Sequence, residues 1–315
     1  MQSSFVRRSS IVLAVLSAVA AACSDTAGPR PDTLASDALT AAAEFDSLMQ
    51  IPILGWPGGF RDYVPRPFDS MGFADTIQGK TFVWDSASSL YVVGPQSGAP
   101  ATGARFLLYA FQLRGAGMGG PPTMLQVGYS DVAYDTVAGA PSIQAAVIAD
   151  SITYLNLSAS RFDSSGIVGV SEHGVLRRAS HRYPVSIVAT KPISGTSDET
   201  LVETIDDSAS GWRLVFTYRD SQGSWDYVLS RGTDRVEYSG TITSSTESLT
   251  LSLRDTAIAL FSRGSGQSSL TGINGHVLTD RERALAAQLE GTIVNTWSLG
   301  FNLASDGGVY LNCVF

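Results

Sequence analysis

Residues 211–230 constrain the fold more than any other stretch of the chain. Trp212, Leu214, Phe216 and Tyr218 fall on one parity, with Arg213, Thr217 and Arg219 among the residues between them. A polar break with a glycine follows at 220–224, after which Trp225, Tyr227 and Leu229 alternate with Asp226 and Ser230. Successive side chains of a strand point to opposite faces, so this pattern predicts a hairpin with one buried aromatic face.

Most of the chain after residue 74 repeats the theme. Residues 81–84 and 90–93 flank a turn-rich break. Residues 105–113 are apolar on both parities, which predicts a central strand covered on both faces. Residues 124–136, 143–149 and 152–162 continue the alternation, and 236–243 and 249–254 follow the opening hairpin. Residues 167–171 and 175–180 read as two strands around a tight turn at Glu172, His173 and Gly174. Pro184 places 183–190 at an edge or a strand start, because proline cannot donate to a ladder. Residues 191–211, with Pro192, Gly195 and five acids, read as an internal break that could divide the body into two halves. Short connections predict sequential antiparallel pairing.

Two helices are expected. Residues 35–50 place Leu39, Ala42, Ala43, Leu48 and Met49 at rough helical spacing. Thr279 and Glu282 form a capping box before Leu285, Ala286 and Leu289, and Gly291 suits a left-handed C-terminal residue. A last hairpin is then expected: Ile293, Trp297, Leu299, Phe301 and Leu303 share one parity, Asp306 to Gly308 turns, and Val309 to Phe315 returns.

The N-terminus carries an address. Arg7 and Arg8 precede an apolar, small run at 11–22, which describes a secretory signal peptide and is too short for a membrane span of about 20 residues. Ala20-Ala21-Ala22-Cys23 resembles the bacterial lipobox, with Ala20 where that motif usually has Leu. The resemblance implies that residues 1–22 are removed and that Cys23 becomes a lipidated N-terminus, tethered to a membrane rather than threaded through it. Ser24 in place of the Asp that retains such proteins at the inner membrane implies the outer membrane. Residues 23–50 would then hold the lipid, a polar tether and the first helix. Residues 51–315 would form the β domain, opened by a segment at 51–68 rich in proline, glycine and aromatics.

Removing Arg7 and Arg8 takes the formal charge from −8 to −10, since residues 1–22 contain no acid. An acidic chain without basic runs argues against a nucleic-acid partner. If Cys23 carries lipid, Cys313 has no disulfide partner, and about 265 residues bury enough surface to need none. The three histidines, His173, His181 and His276, lack the spacing of a zinc site, so neither metal nor cofactor is expected. Ser171 and His173 share a face, but the pattern around them is not Gly-x-Ser-x-Gly and reads as a hairpin tip. Asp206 to Gly211 imitates a calcium loop until its twelfth position, Thr217, where a glutamate is required.

The sequence therefore predicts an all-β, mainly antiparallel body. It would be a β-sandwich or a half-open barrel with a short C-terminal helix packed on it. A half-open barrel would be similar in architecture to lipoprotein carriers of the bacterial envelope and would suit an apolar ligand at Trp56, Phe60, Trp297 and Phe301. The expected role is binding or structural, with the membrane, an apolar small molecule or an envelope protein as partner and no catalytic residue assigned. The alternatives are a secreted hydrolase of envelope or extracellular polymers and an integral outer-membrane barrel, a class that commonly ends in an alternating strand with a terminal aromatic, which 309–315 with Phe315 resembles.

Overall fold

The computed structural model describes residues 31–49, 68–69, 72–73, 77–112, 123–137, 140–193, 198–243, 245–264 and 267–310. Among the described residues helix α1 (Pro31–Met49) comes first, then two short paired strands, β1 (Phe68–Asp69) and β2 (Gly72–Phe73). The body is a 15-stranded sheet. Its strands are β3 (Lys80–Asp85), β4 (Leu90–Val93), β5 (Gly103–Gln112), β6 (Thr123–Val137), β7 (Ala140–Ala149), β8 (Ile152–Ser164), β9 (Ile167–Arg178) and β10 (His181–Pro192). They continue as β11 (Thr200–Asp207), β12 (Trp212–Arg219), β13 (Ser224–Arg231), β14 (Asp234–Ile242), β15 (Thr246–Leu253), β16 (Thr256–Gly264) and β17 (Gln267–Gly272). From β5 to β17 each strand pairs with the next in sequence, up and down; β3 lies between β4 and β5 and is parallel to β5. The sheet is not closed: β4 and β17 are its two edges.

Both helices pack on one face. Leu34, Ala38, Ala41, Phe45 and Leu48 form the buried stripe of α1, the spacing an amphipathic helix needs. Helix α2 (Asp280–Tyr310) buries Leu285, Leu289, Thr292, Thr296, Leu299 and Leu303 at the same spacing. The threonine hydroxyls return to the carbonyls of Gln288 and Thr292 at 2.8 Å, so neither is left unpaired in the core. Asn295 joins the helices through Asp46 at 2.6 Å. A flat 15-stranded sheet would be about 70 Å wide, whereas two helices packed at about 10 Å cover some 20 Å. Yet one continuous core runs from Phe82 on β3 to Phe261 on β16 and includes both helices. The fold is thus a single open sheet with the helix pair on one face and one continuous core running along it.

The opening hairpin forms as expected. Trp212, Leu214, Phe216, Tyr227 and Leu229 are buried, and Gly223 closes the turn at φ 54°. The capping box is also present: Glu282 accepts from the Thr279 N–H at 2.8 Å, and the Thr279 hydroxyl accepts from the Glu282 N–H at 3.3 Å.

Three expectations are corrected. The helix does not end at Gly291, and 293–310 are not strands; α2 continues to Tyr310, while 311–315 lie outside the described residues. The 3.5-residue stripe begun at Leu285 runs on through Leu303 and overrides the parity of Trp297, Leu299 and Phe301. Glu172, His173 and Gly174 are not a turn but the middle of β9. Gly174 marks a close approach of backbones instead, since a Cβ there would lie 2.1 Å from the Asn156 carbonyl. The 191–211 stretch contains β11, paired on both sides, and the ladder runs through it unbroken. Its acids misled the reading because Glu203 and Asp207 point inward with Leu201 and Ile205. Asp207 also shapes the following turn, accepting from the Ala209 N–H at 3.0 Å and from the Ser210 hydroxyl.

Candidate functional site: an aromatic rim and a buried carboxyl

At the rim where β10 ends and β11 begins, Leu201, Tyr218 and Trp225 are cross-strand neighbours in one row. Their inward face meets the C-terminal half of α2. Trp297 and Phe301, four residues apart on one helix face, stack at 5.5 Å and 23°. Trp297 lies 5.9 Å from Trp225 and 6.5 Å from Tyr218, and Trp225 lies 5.2 Å from Tyr218. Two of the four expected ligand-binding aromatics are thus brought together, on a helix rather than a strand. Trp56 and Phe60 lie outside the described residues, as does Cys23.

A cleft opens beside this cluster, bordered by Thr190, Glu199, Thr200, Tyr218, Phe301 and Ala304. It has room for about one water molecule. Phe301 is 36% exposed. The indole N–H groups of Trp225 and Trp297 are buried with no acceptor among the described residues. The Tyr218 hydroxyl donates to Asp220 at 2.7 Å, and burial together with that bond pushes it up to about 12. The site offers aromatic faces and two indole donors without an acceptor among the described residues, with Glu199 on the wall of the cleft.

Deeper on the same face runs a row that the sequence did not reveal: Glu172, Ile187, Glu203, Phe216, Tyr227 and Tyr238 are successive cross-strand partners. Glu203 is fully buried, and its carboxyl oxygens have no hydrogen-bond partner among the described residues. Burial pushes its carboxyl up to about 8, so it is mostly neutral at pH 7. The carboxyl lies against α2, where a Cβ on Gly300 would come within 2.7 Å of Oε2. Tyr227 is raised well above its usual range by burial, with Asp46 and Glu203 adding to it. The signal was present in the sequence: Glu203 shares parity with Leu201 and Ile205.

The Ser171 hydroxyl and His173 Nε2 are 2.9 Å apart on the opposite, outer face. They sit mid-strand on β9, not at a hairpin tip. His173 has no second hydrogen-bond partner among the described residues, so no carboxylate orients it as a catalytic base requires. No group of three or more His, Cys, Asp or Glu that could hold a metal occurs among the described residues. No helix among the described residues is long and apolar enough to cross a membrane. Comparison of the chain with protein-family models, with curated proteins and with solved structures finds no match.

Proposed function

We propose that the chain is a lipid-anchored protein of the bacterial cell envelope, held at the outer membrane through Cys23, whose open sheet serves as a binding module. The aromatic rim carries this reading. Trp297 and Phe301 from α2 face Tyr218 and Trp225 from the sheet, beside a cleft and with two indole donors that have no acceptor among the described residues. Such a surface suits a ligand with an apolar body and an acceptor oxygen, such as a lipid. The cleft admits little as it stands, so the ligand enters by displacing Phe301 and the end of α2. Native mass spectrometry of the mature protein, with Cys23 replaced and after gentle purification from an envelope extract, tests it. A co-purifying amphiphile that is lost in Trp297→Ala supports the reading. A clean apo protein from every extract overturns the ligand and leaves a structural role.

The Ser171–His173 bond favours a second reading, a hydrolase of envelope or extracellular polymers. Against it stand the exposed, mid-strand position of the pair and a His173 with no second hydrogen-bond partner among the described residues. The two open sheet edges count against an integral barrel, because unpaired strand edges are not tolerated in hydrocarbon.

A further inference from the structure

Strands β9 and β10 reach beyond their neighbours. Pairing of β9 with β8 ends at Leu155 opposite Leu176, and pairing of β10 with β11 begins at Ile205 opposite Val185. The tip pairs only with itself, Arg177 opposite Arg182 and Arg178 opposite His181, around a turn with Ala179 at φ 52°. This also explains how Pro184 sits in a central strand: β10 has one neighbour there, as at an edge. The projecting finger is cationic. Residues 173–197 contain no acid, whereas the mature chain as a whole carries a formal −10. Residues 178–182 are exposed. Arg178 pairs with Glu44 of α1 at 3.3 Å, but Arg177 and Arg182 have no ion-pair partner among the described residues. These two lie directly opposite each other, an arrangement that repulsion disfavours.

The finger stands on the rim along which α1 lies. Asp37 binds Arg231 beside the β13–β14 turn, while Glu44 and Ser47 bind Arg178 beside the β9–β10 turn. Alternate turns of an up-and-down sheet fall on the same rim. Pro31 is eight residue steps from Cys23, a reach of at most about 29 Å. An anchor at Cys23 thus holds this rim near the bilayer.

We propose that the Arg177–Arg182 finger docks on the phosphate layer of the membrane that carries the anchor, and so sets the orientation of the sheet above it. This rests on the lipid-anchor reading. An anionic surface attracts the finger; α1 on the same rim carries four acids, of which Asp37 and Glu44 are already paired with Arg231 and Arg178.

The test uses the mature chain with Cys313→Ser, coupled through its Cys23 thiol to a maleimide lipid. Hydrogen exchange is compared on vesicles of phosphatidylcholine alone and of phosphatidylcholine with phosphatidylglycerol. The finger amides are expected to exchange at least about tenfold slower on the anionic vesicles. The difference should vanish in Arg177→Glu/Arg182→Glu, with β13 amides unchanged as the check on folding. Equal exchange on both vesicles, or a difference that survives the double substitution, overturns the proposal. So does equal slowing by inorganic phosphate without vesicles, which would make the finger a free-anion site. Because the lipid is attached chemically, none of these outcomes depends on native lipidation. That is read separately, from the mass of the protein in envelope extracts.

Discussion

Glu203 gives the fold a specific dependence on pH. In the unfolded chain its carboxyl titrates near 4.5, and in the folded chain near 8. Between these values the folded state keeps a proton that the unfolded state has released. Stability from this group is present in full below pH 4.5 and is lost as pH rises through 8. At about 1.4 kcal/mol per pH unit, the interval from 4.5 to about 8 amounts to roughly 5 kcal/mol, a large part of what a typical domain possesses. Glu203→Gln keeps the shape and removes the titration. Its own cost, an amide in place of a carboxyl, does not vary with pH. Urea unfolding of both proteins, followed by tryptophan fluorescence from pH 4 to 9, isolates the effect. The stability of the wild type relative to the variant should fall by about 5 kcal/mol across the window, with most of the loss between pH 5 and 8. A difference that stays constant from pH 5 to 8 would show that Glu203 is solvated or paired in the folded protein, and the buried-carboxyl argument would fail.

Other substitutions separate the local forces. Gly291→Ala, exposed and with nothing near a new Cβ, should stabilise α2 by about 1 kcal/mol in thermal unfolding. Gly300→Ala should instead lose about 1–3 kcal/mol, because its Cβ meets the Glu203 carboxyl and Leu201, and adding Glu203→Ala should recover part of that loss. Thr279→Ala should cost about 1 kcal/mol by opening the capping box. A fluorophosphonate probe should leave Ser171 unlabelled; labelling that Ser171→Ala abolishes would refute the non-catalytic reading of that pair.

The sheet was legible because its core-facing residues are aromatic or branched and alternate cleanly, as Trp212 to Tyr218 shows. Positions where backbones approach closely were harder: Gly174 carries the same letter as a turn glycine, and only its closeness to Asn156 tells them apart. Polar residues pointing inward hid β11, since Glu203 and Asp207 resemble a solvated loop unless their parity with Leu201 is weighed. At the C-terminus two periodicities coexist. Trp297, Leu299 and Phe301 satisfy a strand, and Leu285, Leu289, Thr292, Thr296 and Leu299 satisfy a helix. The capped start at Thr279 and the partner offered by α1 favour the second. Half of the aromatic site was readable from Trp297 and Phe301 as residue types. Their meeting with Tyr218 and Trp225 depends on packing between distant segments.

The helix pair also orders how this protein can fold. The strands from β5 onward find their partners next door in sequence, so the sheet can assemble by short, inexpensive loop closures. The bond between Asp46 and Asn295, by contrast, joins residues 249 positions apart. No amount of strand pairing covers the apolar face until α2 packs on it. A chain stopped before Asp280 would present the helix-bearing face of its sheet as an open apolar surface, exposed to proteases and to aggregation until α2 is added. The two helices together act as the latch on its core.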